Sequence, residues 1–358
     1  MASLASLRSI LRAGGVAAAF AVAGLLAVAP PALAASAQSV ADTRREPPAA
    51  DAQYQRLVRA AKAVVAVKVH ALPDARSNET LGRDRNGSGV VIADDGLVLT
   101  IGYLVQEADQ VSVTDSDGQT VPAAVVGYDD ATGFGLVRPL GRLAAQPIRM
   151  GSSAPIAQLD RLMIVSGGEG QSISIATVVA KRRFAGYWEY LIDDAIFTVP
   201  PRLDHSGAAL VNQQGELVGI GSLFVMDAMQ SDQRIPGNMF VPIDLLKPAL
   251  GEMLRSGEQE ASHRPWLGVD SLEEDGRVKV MDVSAEGPAA KAGLKAGDII
   301  LSVDGEPVDT LPKLYRRVWS AGPPGTEVRL TVLQGVAVHE LMVRSIDRQQ
   351  FVRHKPGV

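Results

Sequence analysis

The sequence predicts a mainly β protein in two units, a large one of many short strands and a smaller α+β one with two helices. Three observations predict it. From residue 87 onward short apolar runs alternate with turn signals such as Asp94-Asp95-Gly96 and Gly167-Gly168-Glu169-Gly170, the pattern of a sandwich or barrel. A polar stretch over residues 256–264 separates these runs from a second set of strands. The length, 358 residues, suits two domains of roughly 150 residues and a remainder.

In chain order, residues 1–34 read as a signal peptide. Arg8 and Arg12 precede an uncharged apolar run over 16–29, Pro30-Pro31 breaks it, and Ala32-Leu33-Ala34 places small residues before a cleavage site at Ala35. The alternative is an uncleaved inner-membrane anchor, although a span needs about 20 apolar residues. Residues 35–51, with Pro47 and Pro48, read as a flexible arm. Tyr54, Leu57, Val58 and Ala61 have helical spacing. A strand follows over 64–69 and a polar loop over 70–85. Strands are expected over 90–92, 97–100, 110–113, 122–126, 134–137, 161–165, 172–180, 190–197, 208–211, 217–223 and 239–242, then a helix over 245–255 ending near Gly257. Residues 256–264 form a hinge. In the second unit, strands are expected over 278–283, 299–303, 327–333 and 340–343. Helices are expected over 289–292, stopped by Gly293, and over 311–320. The resulting division is 52–255, 265–346 and a C-terminal tail over 347–358.

Composition excludes several function classes. The chain has no cysteine, which removes disulfides, thiolate metal sites and Cys nucleophiles. The net charge is −5 with no basic cluster, and aromatic residues are 4%, so a nucleic-acid partner is not expected. No His has a His partner at i+3 or i+4, so neither a metal site nor a cofactor is expected.

Three segments carry a family resemblance: Gly87-Ser88-Gly89-Val90-Val91-Ile92 with Leu97-Val98-Leu99-Thr100, then Val126-Gly127-Tyr128-Asp129, then Ser206-Gly207-Ala208-Ala209-Leu210-Val211-Asn212 with Gly215-Glu216-Leu217-Val218-Gly219-Ile220. In this order they resemble the HtrA/DegP-like, trypsin-fold serine proteases over roughly residues 52–345. The resemblance implies two packed six-stranded barrels followed by a PDZ domain, and assembly as trimers.

An active member needs a Ser nucleophile, a His that accepts its proton and an Asp that orients the His. The resemblance places Ser206 at the nucleophile. The first motif, Thr-x-x-His, becomes Thr100-Ile101-Gly102-Tyr103, so Tyr103 replaces the base. Counting four residues from Asp129 reaches Gly133 at the orienting position. The Gly-Asn-Ser-Gly-Gly motif reads Asp204-His205-Ser206-Gly207-Ala208. The oxyanion hole would use the backbone N–H groups of Ser206 and Asp204. Asp204 stands where the family has glycine, so strain and an unhelpful charge are expected there. Loss of base or orienter alone costs on the order of 10⁴-fold in rate. His205 and Lys181 are the alternative bases to weigh.

In the second unit Arg264-Pro265-Trp266-Leu267-Gly268-Val269 resembles a PDZ carboxylate-binding loop, and Gly287-Pro288-Ala289-Ala290-Lys291-Ala292-Gly293-Leu294 with Gly297-Asp298-Ile299-Ile300 resembles PDZ sequences. The resemblance implies β-augmentation, with a peptide carboxylate on the amides of Leu267, Gly268 and Val269, and a groove lined by Leu311, Leu314 and Val318. Trp266 is expected to pack between domains, and Met226, Met229 and Met239 to fill core. The reading is an exported, periplasmic pseudoprotease that binds peptide C-termini or unfolded envelope proteins, as adaptor, chaperone or scaffold beside active HtrA-type proteases. The alternative is a serine endopeptidase that activates Ser206 with a non-standard base and degrades misfolded periplasmic proteins.

Overall fold

The computed structural model describes residues 49–167, 170–230 and 233–353. The signal peptide, most of the arm and His354 lie outside them. Helix α1 (Ala49–Lys62) takes in the last residues assigned to the arm, with Asp51 favourably placed in its first turn. Its expected apolar face is real, since Leu57 and Ala61 are buried.

Strands β1 (Val64–Ala71), β2 (Asp84–Val91), β3 (Val98–Ile101), β4 (Ala108–Thr114), β5 (Thr120–Tyr128) and β6 (Phe134–Pro139) close a barrel in the order β1-β2-β3-β6-β5-β4. The expected polar loop over 70–85 is shorter than predicted. Its ends pair in β1 and β2, with His70 opposite Asp84, and its middle carries helix α2 (Asn78–Leu81). Helix α3 (Gly102–Val105) continues directly from β3 and presents Tyr103.

The second barrel is β10-β11-β12-β9-β8-β7, from β7 (Arg161–Ser166), β8 (Ser172–Gly186), β9 (Tyr190–Val199), β10 (Ala209–Val211), β11 (Leu217–Val225) and β12 (Gly237–Pro242). One apolar cluster runs from the first barrel into the second, joining Val67, Leu99 and Phe134 with Phe197, Met239 and Val241. Met239 is core as expected, whereas Met226 and Met229 are exposed. Strands β8 and β9 extend past the barrel as a long hairpin. Helix α4 (Leu246–Ser256) follows, capped by Gly257 in left-handed conformation.

The second unit is a sheet in the order β13-β14-β15-β17-β18, from β13 (Val269–Glu274), β14 (Arg277–Val283), β15 (Ile299–Val303), β17 (Glu327–Gln334) and β18 (Ala337–Arg344), with β16 (Glu306–Pro307) on β15. Helices α5 (Pro288–Lys291) and α6 (Leu311–Ser320) accompany it. Thr310 caps α6 by accepting from the Lys313 N–H.

The segment expected as a hinge is fastened to the first barrel. Ser262 Oγ, Gln259 Nε2 and the Gln259 N–H donate to the Asp129 carboxylate at 2.6, 2.9 and 3.2 Å. Part of the expected tail is fastened too. Arg348 pairs with Asp130 at 3.5 Å, the Arg353 N–H donates to Glu107 at 2.6 Å, and Phe351 lies 4.8 Å from Trp266.

Candidate functional site

The expected nucleophile and the residue replacing its base meet between the barrels. Tyr103 Oη lies 2.7 Å from Ser206 Oγ and 2.7 Å from the Ser222 carbonyl. A phenol has one proton and a carbonyl can only accept. With that proton on Ser222 O, the Ser206 hydroxyl donates to the Tyr103 oxygen. Burial pushes the Tyr103 phenol up to about 12, against the smaller opposing effect of Ser206. The phenol is therefore neutral near pH 7 and is a poor acceptor for the serine proton.

The orienting position is closed as well as empty. Gly133 has a φ of +78°, and a Cβ there would lie 2.7 Å from Tyr190 Oη. That hydroxyl donates to Thr132 O at 2.6 Å, and burial pushes its phenol above the usual range. Asp129 supplies no substitute. It is fully buried and accepts from the Thr132 N–H and hydroxyl as well as from Ser262 and Gln259.

The loop before Ser206 is ordered by Arg202, whose guanidinium pairs with the Asp204 carboxylate and donates to Ser172 Oγ and Ser174 Oγ, each at 2.7 Å. The strain expected at Asp204 is not found, since it is not among the described non-glycine residues with left-handed φ. Its charge is partnered by Arg202. Gly207 is the position that requires glycine, with φ +71° and a Cβ site 1.9 Å from Ser88 O. His205 Nδ1 donates to Arg202 O at 3.0 Å, and burial pushes this ring's pKa down. Lys181 donates to Ser153 O and Ala154 O. Among the described residues, the side-chain partner of Ser206 Oγ is Tyr103.

The amides of Leu267, Gly268 and Val269, expected to take a peptide carboxylate, have an occupant from within the chain. The Glu189 carboxylate accepts from all three, at 3.2, 2.7 and 3.1 Å to Oε1. Glu189 is buried, in the turn between β8 and β9. Burial pushes its carboxyl up, against the pull of the three amides. Leu311, Leu314 and Val318 are buried in one cluster with Tyr315, and Ala185 and Leu191 of the hairpin pack against that cluster. Sequence reasoning missed Glu189. The Tyr187-Trp188-Glu189-Tyr190 turn carries no mark of a contact about 80 residues further along the chain.

A third cluster lies in the linker between the units. His263 Nδ1 bonds Asp347 at 2.6 Å and its Nε2 faces Glu258 at 3.5 Å. These three side chains are the group among the described residues that could hold a metal ion. With each ring nitrogen facing a carboxylate, the arrangement suits an imidazolium cation.

The family model described as a trypsin-like peptidase domain matches residues 87–220, and that described as a PDZ domain matches residues 265–344. Serine endoprotease DegS of Haemophilus influenzae is 30% identical over 298 residues, 78% of this chain and 84% of that one. DegS of Escherichia coli is 30% identical over 72% of this chain and 75% of that one. A probable periplasmic DegP-like endoprotease of Halomonas elongata is 28% identical, and the chain spans only 56% of its length. Among solved structures, the serine endoprotease of Yersinia pestis matches at 24% identity with a TM-score of 0.51, over 82% of this chain and 97% of that one. HtrA-type protease AlgW with decapeptide matches at 22% and 0.52, over 85% and 99%. At these identities the solved structures speak to the fold alone.

Proposed function

The chain belongs to the HtrA/DegP-like family of trypsin-fold proteins with a C-terminal PDZ domain, and from that premise we propose that it is a proteolytically silent member that works by binding. The observation that carries this reading is the hydrogen bond between Ser206 and a buried phenol. Acyl transfer needs a group that accepts the serine proton at working pH and a second that holds this acceptor in place. Tyr103 is a poor base, and Gly133, with Tyr190 against it, offers no orienter. What remains is a nucleophile without activation beside a complete PDZ unit.

The ligands of this reading are chain ends with free carboxylates, as on exposed or unfolded envelope proteins. The role is adaptor, chaperone or scaffold in the periplasm. The names of periplasmic DegP-like relatives support export. No helix of the described residues is long and apolar enough to cross a membrane.

The test is fluorophosphonate labelling and casein hydrolysis by the full chain at several pH values, with Ser206→Ala as control. We expect neither labelling nor hydrolysis that depends on Ser206. Labelling lost in Ser206→Ala would overturn the silent reading and restore the endopeptidase that the relatives' names suggest.

A further inference from the structure

The tip of the β8–β9 hairpin sits in the PDZ groove the way a peptide end would. In β-augmentation a ligand places its carboxylate on the loop amides and lays its main chain beside the neighbouring strand, with side chains in the apolar groove. All three parts are supplied here by residues 185–191. Glu189 provides the carboxylate, taking the N–H groups of Leu267, Gly268 and Val269. Tyr187 provides the main-chain contact, its carbonyl accepting from the Ser271 N–H at 2.8 Å. Ala185 and Leu191 provide the apolar part, packed on the cluster that contains Leu311, Leu314 and Val318.

Further contacts hold the tip. The Tyr315 hydroxyl, on α6, donates to Gly186 O at 2.6 Å. Trp188 stacks on Tyr190 with ring centroids 5.5 Å apart, and Tyr187 meets Trp188 edge-on at 4.8 Å. Glu189 itself adopts a left-handed φ of 58°, a conformation that few non-glycine residues adopt. The whole arrangement turns a side-chain carboxylate into the place of a chain terminus.

Resting on the reading that this groove binds peptide ends, we infer that the hairpin tip is the groove's resident ligand, an internal carboxylate that holds the site closed until a foreign C-terminus displaces it. Displacement requires a free carboxylate, because the three loop amides would otherwise be left buried without an acceptor. It also requires an apolar last side chain to replace Ala185 and Leu191. The apparent affinity for such a peptide is its intrinsic affinity reduced by the fraction of molecules with the tip withdrawn.

The test uses the full chain and two readouts. The first is hydrogen exchange at the amides of Leu267, Gly268, Val269 and Ser271, which needs no peptide. The second is binding of a pool of fluorescein-labelled decapeptides ending in Leu, Val or Phe with a free carboxylate, with the amidated pool as control. In Glu189→Gln we expect the loop amides to exchange faster and the pool to bind tighter, each by about tenfold or more. Tyr315→Phe, which removes only the hydroxyl on Gly186 O, is the milder second variant and is expected to move both readouts the same way by less. Unchanged exchange in both variants would overturn the resident ligand, even if the pool binds. Faster exchange with no binding in any variant would support the resident ligand and sink the peptide-binding reading instead.

Discussion

Tyr103 Oη stands 2.7 Å from Ser206 Oγ, so the serine proposed at the nucleophile position has a phenol as its hydrogen-bond partner. Replacing it tests the proposal that the phenol leaves the site silent. In Tyr103→His a group with a pKa near neutrality becomes available, and slow fluorophosphonate labelling of Ser206 is expected to appear. Casein hydrolysis is expected to stay at background, because an unoriented His loses on the order of 10⁴-fold. Equal labelling of the wild-type chain would show that the phenol does not silence Ser206.

Restoring the acid as well is expected to be harmful. Gly133→Asp puts a side chain at φ +78° and a Cβ 2.7 Å from Tyr190 Oη. The left-handed conformation alone costs roughly 1–2 kcal/mol outside glycine. Urea titration is expected to show a loss of at least that size. Adding Tyr190→Phe removes the oxygen in the way and should recover part of it, leaving the backbone contribution.

Asp129 joins the barrel to the linker. Asp129→Ala leaves the Ser262 hydroxyl, the Gln259 amide and the Thr132 N–H without their acceptor. Buried donors left unpaired cost about 1–3 kcal/mol, so a stability loss of about 2–4 kcal/mol is expected by denaturant titration. Asp129→Asn keeps the shape and one acceptor and should lose less.

The linker should make stability depend on pH. The Asp347 hydrogen bond raises the His263 pKa above 6.5. A histidine raised in this way contributes stability that is complete below its unfolded pKa and lost as pH rises through its folded one. Burial, with Asp130 and Asp347 nearby, pushes the Glu258 carboxyl up from 4.5 to about 7. The folded state then holds a proton that the unfolded state has released, so this group also lowers stability as pH rises between those values. Both act in the same direction. Melting temperature is expected to fall from pH 5 to pH 8 (about the range of the two titrations). Glu258→Gln should flatten the part below 7 and His263→Gln the part above 6.5. An unchanged slope in both variants would exclude the cluster as its source.

Much of this was legible in sequence because strands carry their signal locally. Apolar runs such as 134–137 and 161–165 lie in the strands observed, and Gly257 ends its helix as expected. The missed elements had little local signal. Helix α3 is four residues long and continues an apolar strand, and the linker owes its order to a carboxylate 130 residues away. Tyr103 and Gly133 were readable as substitutions in a family pattern, whereas the closure of the Gly133 position by Tyr190 required three dimensions. Asp204 misled because a glycine position implied strain, and the backbone there has no left-handed φ.

Glu189 is joined to the PDZ domain by the protein's own chain, and its turn is held at both ends by barrel strands β8 and β9. A ligand tethered at short range acts at a millimolar-order effective concentration. A chain end present at about a micromolar would need roughly a thousandfold intrinsic advantage to take half the grooves. A groove closed in the proposed way would be tuned to abundance as much as to sequence. Under the proposed displacement, dilute termini would leave it closed and many exposed termini arriving together would open it.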